Sequence, residues 1–232
     1  MGLAHSPRIV TDGLVLALDA GNTKSYLGSG TTWTDLSGNG NNGTLENGVG
    51  FDGGNGGSLS FDGVNDYVDT KSIQFERTDS FTISVWANSS SVNNNQMVNN
   101  ENGSYRGYQF VLSNGKIFFI LRNTVSTNYI GVGSVESILP NKWYYLLVSY
   151  NGSSDASGVN IYINGLSTSK NIDGNNLSAT TISGETTWIG RRRPATQAPF
   201  NGNIAQVSIY NKALTADEVS QNYNALRGRF GI

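Results

Sequence analysis

The sequence predicts an all-β fold: two antiparallel sheets packed face to face, closed by one short C-terminal helix. Three observations carry that expectation. Glycine and asparagine number 29 each, with 27 serines and 18 threonines, together 103 of 232 positions. Such a chain is rich in tight turns, because Gly and Asn tolerate positive φ while Ser and Asn bond their own backbone. Apolar residues recur at every second position in segment after segment, the period of a half-buried strand. Two Asn-Gly pairs each lead from one such segment into the next, a specific signal for two-residue hairpins. Eleven tyrosines, nine phenylalanines and four tryptophans supply a sizeable core and argue against disorder.

The elements follow in order. Residues 1–12 read as an extended N-terminal arm, 13–227 as a single domain and 228–232 as a tail. Leu14, Leu16 and Leu18 predict a first strand, buried on both sides and ending at Asp19. Residues 21–57 read as short strands in long loops, with Trp33 and Leu36 as anchors. In Gly57 to Thr70, Leu59 and Phe61 alternate with Ser58 and Ser60, the chain turns over Asp62-Gly63, and Tyr67 and Val68 follow beside Asp66 and Asp69. That pattern predicts a hairpin with carboxylates crowded at its turn. Phe81, Ile83 and Val85 form the next alternating run, and Tyr108, Phe110 and Leu112 another. Asn114-Gly115 turns that run into Ile117, Phe119 and Leu121. Residues 143–150, WYYLLVSY, predict a central strand; Val159, Ile161 and Ile163 lead into Asn164-Gly165; Trp188-Ile189 and Ile204 to Tyr210 complete the sheets. Thr215 followed three residues later by Glu218 is a capping box, and Val219, Tyr223 and Leu226 give the helix one apolar face.

Composition removes several function classes. The net charge is −2, so no global field draws nucleic acid or an anionic membrane. There is no cysteine, which removes disulfides, thiolate metal sites and a cysteine nucleophile. No apolar run approaches the ~18 residues of a membrane span. The first ten residues carry no secretory leader pattern, although Met1-Gly2-Leu3-Ala4-His5-Ser6 fits the short myristoylation pattern. The single histidine, His5, lies in the arm, so no Ser-His-Asp triad can be assembled. Five Asn-x-Ser/Thr sequons, headed by Asn42, Asn88, Asn102, Asn151 and Asn176, are what so much Asn, Ser and Thr produces by chance.

The succession SLSFDGVNDYV, FTISVWAN, NKWYYLLVSYNG, VNIYINGL, TTWIG and FNGNIAQVSIYNKALTADEV resembles a laminin-G-like (pentraxin-related) domain of the concanavalin A-like superfamily. The resemblance runs over about residues 13 to 226. It implies a jelly-roll sandwich of a kind used mostly for binding. Residues 5 to 44 further resemble the start of stand-alone members among structural proteins of tailed bacteriophages. On that resemblance the chain is expected to be an accessory virion protein, decorating a capsid or fibre. It would contact other virion proteins and copies of itself through the arm, loops and tail. The alternative is a carbohydrate-binding, lectin-like module that adheres to cell-surface glycans, located extracellularly or on a cell surface. A glycan-active hydrolase ranks last, since the Glu-x-Asp-x-Glu run of the superfamily's glucanases is missing.

Candidate site residues follow from chemistry. Asp35, Ser37, Asn39, Gly40 and Glu46 have the spacing of a calcium loop, although an ordered turn explains the same pattern. The family resemblance implies a structural calcium near the first strand's aspartate. Asp19 matches, whereas the last-strand partner here is Ala205 followed by Gln206. Asp66 is a further metal candidate. For a sugar, Trp33, Asn102, Tyr105 and Arg106 lie in loop-like sequence, where rings stack on sugar faces and amides bond hydroxyls. Phe81, Phe110, Phe119, Trp143 and Trp188 are expected in the core. Arg191, Arg192 and Arg193, followed by Pro194, form the densest positive charge and could meet an acidic neighbour or a phosphate, or stay solvated.

Overall fold

The computed structural model describes residues 7–193 and 199–232. Two antiparallel sheets enclose one core. Sheet A contains β1 (Leu14–Asp19), β4 (Gly50–Asp52), β5 (Ser58–Asp62), β7 (Phe81–Ser89), β12 (Trp143–Tyr150), β13 (Val159–Ile163), β14 (Leu166–Ser167) and β17 (Asn201–Tyr210). Sheet B contains β2 (Thr32–Trp33), β3 (Gly43–Glu46), β6 (Tyr67–Asp69), β8 (Asn95–Asn99), β9 (Gly107–Ser113), β10 (Lys116–Thr124), β11 (Asn128–Ser134), β15 (Lys170–Asn175) and β16 (Trp188–Ile189). The order in sheet A is β14-β13-β12-β7-β17-β5-β4, with β1 also on β17; in sheet B it is β15-β11-β10-β9-β8-β16-β6-β3-β2. One helix, α1 (Ala216–Phe230), closes the chain. Among the described residues no helix is long and apolar enough to cross a membrane.

The alternating runs project one phase into the space between the sheets. Phe81, Ile83 and Val85 from sheet A meet Phe110, Phe119 and Leu121 from sheet B, all fully buried. Both Asn-Gly pairs form hairpin turns, with φ of 51° and 77° at Asn114 and Gly115 and 52° and 79° at Asn164 and Gly165. Residues bearing a Cβ rarely adopt this conformation, and Asn and Gly do so at least cost.

The structure corrects the hairpin expected at 57–70. β5 joins sheet A beside β17, while β6 joins sheet B beside β16 and β3. The turn therefore carries the chain from one sheet across to the other. It is held by Asp62, whose Oδ1 accepts from Val64 N at 2.7 Å, and by Asp66, whose Oδ2 accepts from Asp62 N at 2.9 Å. Leu59, Phe61 and Val68 all face the core, but they reach it from opposite layers.

Sheet A also has an apolar outer face, which α1 and the arm cover. Trp86, Tyr145, Leu147 and Tyr210 pack there against Val10, Val219 and Phe230. The capping box forms as expected: Thr215 Oγ1 accepts from Glu218 N, and Glu218 Oε2 accepts from Thr215 N. The helix runs to Phe230, so most of the segment expected as a free tail is helical and packed. The described part of the arm is likewise fixed, with Val10 N donating to Asn222 Oδ1 at 2.7 Å. The myristoylation pattern and His5 lie outside the described residues, as does Pro194.

Candidate functional site

The polar phase of β8, β9 and β10 faces away from the core on sheet B. Across the ladder Gln96 pairs with Val111 and Val111 with Phe118; the next row pairs Gln109 with Ile120. These residues, with Arg122, Arg192 and Asp173, line an open groove of about 600 Å³. The groove exists partly because β11 presents Gly131 and Gly133 on this face. Phe118 lies down over Gly133, where a Cβ would come within 2.7 Å of its ring. A side chain at that position would displace the ring and fill the floor.

A buried charge cluster forms one end. Glu101 is fully buried between two guanidiniums: Arg122 bonds its Oε1, and Arg192 Nε donates to Oε2 at 2.8 Å. Asn99 Nδ2 also donates to Oε2, and Arg122 Nη2 reaches Gln109 Oε1 at 3.1 Å. Burial pulls the Arg122 pKa below its ordinary value, opposed by the Glu101 charge. The Tyr105 ring supports both cations, with Arg192 at 4.8 Å and Arg122 at 5.5 Å from its centroid. Tyr105 holds φ of 65°, and Asn102 frames that turn by accepting from Ser104 N and Arg106 N. Both Glu101 oxygens are thus engaged within the cluster.

The structure brings Arg192 to this end of the groove with Tyr105 behind it, while Asn102 and Arg106 belong to the turn that carries Tyr105 and are not among the groove-lining residues. It separates the other expected contacts. Trp33 is fully buried in the core and cannot stack on a ligand. The arginine run is neither solvated nor free-standing, because each member lies on a ring: Arg191 on Tyr67, Arg192 on Tyr105 and Arg193 on Trp188 at 3.8 Å. Trp143 and Trp188, expected in the core, are half-buried on the outer faces of sheets A and B, respectively. The sequence does not mark Gln109 and Arg122, since a strand's polar phase reads as solvated, nor Gln96 and Glu101, which lie on or just after a strand without alternation. The signal present was Phe118 and Ile120, apolar residues in that same phase.

A family model described as the concanavalin A-like lectin/glucanases superfamily matches residues 62–220. The chain belongs to this superfamily. Solved structures similar to it include the receptor-binding domain of botulinum neurotoxin C/D mosaic serotype, at 17% identity and TM-score 0.68 over 92% of this chain and 51% of that one. The binding domain of botulinum neurotoxin DC in complex with rat synaptotagmin II aligns at 16% identity and TM-score 0.71, covering 94% and 52%. Botulinum neurotoxin type C, whose cell entry depends upon interaction with two ganglioside molecules, aligns at 15% identity and TM-score 0.67, covering 94% and 52%. At such identities the likeness shows the fold alone, and the chain spans about half the length of these structures. No curated protein matches the chain.

Within the superfamily setting, the calcium expected here does not fit the donors. Asp35 already accepts four hydrogen bonds, from Ala17 N, Ser37 N, Ser37 Oγ and Asn41 N. Asn39 turns its NH2 toward the Leu14 and Val15 carbonyls, and Glu46 sits on β3 opposite Tyr67. Residues 35–46 are an ordered turn followed by a strand. Asp19 pairs across the ladder with Gln206, which carries no carboxylate. The Asp19 carboxylate is taken by Arg229, whose Nη1 lies 2.6 Å from Asp19 Oδ1 while Nε and Nη2 donate to the carbonyls of Asn55 and Gly57. A guanidinium fills an all-oxygen cage. Asp66 has one buried oxygen without a hydrogen-bond partner among the described residues, and burial raises its pKa. No three metal-ligating side chains converge among the described residues.

Proposed function

We propose that this chain is a non-enzymatic binding module that takes a carbohydrate in the groove on sheet B. The carrying observation is the groove itself. An apolar strip of Val111, Phe118 and Ile120 runs beside fixed amide and guanidinium groups, the mixture that suits the apolar faces and hydroxyl edges of a sugar. Membership of a lectin-containing superfamily supports the reading, as do similar folds described with gangliosides and with SialylT. Engagement of both Glu101 oxygens favours binding over hydrolysis. A glycan array tests it. Retention of a defined glycan set, lost on Phe118→Ala with the fold intact, is expected; no retention of any glycan sinks the reading.

The setting we propose is the outside of a virion, where other virion proteins would hold the module, with an extracellular or cell-surface location as the alternative. The support is the resemblance of residues 5 to 44 to the start of tailed-bacteriophage structural proteins. Many copies co-purifying with particles are expected, and a chain absent from purified particles excludes this setting.

A further inference from the structure

We infer that the groove takes a carboxylated sugar, with Arg192 binding the carboxylate and Arg122 adding charge beside it; this rests on the carbohydrate reading above. The charge cluster at that end of the groove is unbalanced. Two guanidiniums share one carboxylate, so Glu101, Arg122 and Arg192 together carry one net positive charge. Arg192 gives only Nε to Glu101, and its Nη1 and Nη2 have no hydrogen-bond partner among the described residues. Its side chain lines the groove and is 17% exposed, so these donors are open to a ligand. The Tyr105 ring behind it and the Glu101 bond at Nε fix the plane of the guanidinium. A planar fork held in place, with charge to spare, is what a carboxylate accepts through both oxygens.

The rest of the lining limits how much acid the ligand carries. Asp173 lines the groove from β15, and β11 lies between β15 and β10, the strand of Arg122. Neighbouring strands are ~4.8 Å apart, which puts the β10 and β15 backbones about 10 Å from each other. Asp173 is exposed, and its Oδ2 accepts from Tyr129 Oη at 3.3 Å. A chain with an acid on every unit would set a second negative charge against this carboxylate. The fitting ligand has one acidic unit at the Arg192 end and neutral hydroxyls that Asp173 accepts. A neutral sugar leaves the positive charge unanswered, and an ammonium-bearing one is repelled by it.

The test uses the whole chain and an array of glycan pairs in which one member keeps a carboxylate that the other has reduced to a primary alcohol. The best pair is then titrated at rising salt. The acidic member is expected to bind about tenfold or more tightly at low salt, the usual strength of a charge-assisted hydrogen bond. That ratio should shrink as salt screens the open end of the groove. Arg192→Gln should bring it close to one. Asp173→Asn, on an exposed edge strand, should tighten the acidic member relative to the neutral one, and serves if Arg192→Gln does not fold. Equal binding of both members in the unaltered chain overturns the inference and leaves the carbohydrate reading standing. A ratio unchanged in a folded Arg192→Gln, or in Asp173→Asn at low salt, also overturns it. Binding of no glycan overturns both.

Discussion

The outer face of sheet A is aromatic and roofed, with Trp86 stacked 4.2 Å from Phe230 of α1. The outer face of sheet B carries amides and guanidiniums beside an open groove. Both faces belong to strands with the same alternating rule, so the contrast lies in which residues fill the outward phase. Where these are Trp86, Tyr145 and Leu147, water is excluded by a helix and an arm, and the return is stability. Where they are Gln96, Gln109 and Arg122, no helix covers them, and guanidinium and amide groups are held in fixed positions along an open groove.

Substitutions can break this contrast, beginning with the largest effect. Trp86→Ala should cost about 4 kcal/mol, because it empties a fully buried site under α1; denaturant unfolding measures it, and a loss under ~1 kcal/mol would mean the roof is not structural. Glu101→Gln is expected to cost about 3 kcal/mol by leaving Arg122 and Arg192 without their buried counter-charge. A cost that large on the open face would show that the charge cluster, unlike the groove beside it, is part of the framework. Arg229→Ala should cost about 2 kcal/mol through lost charge-assisted bonds to Asp19, Asn55 and Gly57. In the same unfolding measurements a calcium chelator should leave the unaltered chain's midpoint where it was.

The smallest effect has the opposite sign. Burial raises the Asp66 pKa, so the folded chain holds this proton more tightly than the unfolded chain. Its ionised form therefore costs stability at neutral pH, and the cost is relieved as pH falls through the folded value toward the unfolded one. Asp66→Asn should stabilise slightly at neutral pH, and that gain should shrink in acid. A gain that persists unchanged at low pH would rule out the ionised carboxylate as its source.

Elements governed by local rules are legible in the amino-acid order alone. β1, both Asn-Gly hairpins and the capped helix each depend on a period or a turn chemistry within a few residues. The partition of β5 and β6 between two sheets is not legible there, because alternation reports only that a residue faces a core, and both sheets share one. β8 escapes notice for another reason. Its sequence NQMVN shows no alternation, since a bulge between Gln96 and Val98 puts Met97 and Val98 both in the core. β11 hides behind its glycines. Tyr105 and Arg192 are legible as a loop aromatic and clustered charge, whereas the ladder that brings Gln96 beside Val111 and Phe118 is a long-range pairing that no local pattern records.

The arm adds a consequence for how the molecule is held. Pro7 lies beside Ala225 and Leu226, and Ile232 follows the end of α1, so both described ends leave from the helix side. The groove opens on the opposite sheet. Copies anchored by either end to a common surface would all turn their grooves outward, like a brush with its bristles aligned. Weak contacts at single grooves would then add into avidity, with no change in any one of them.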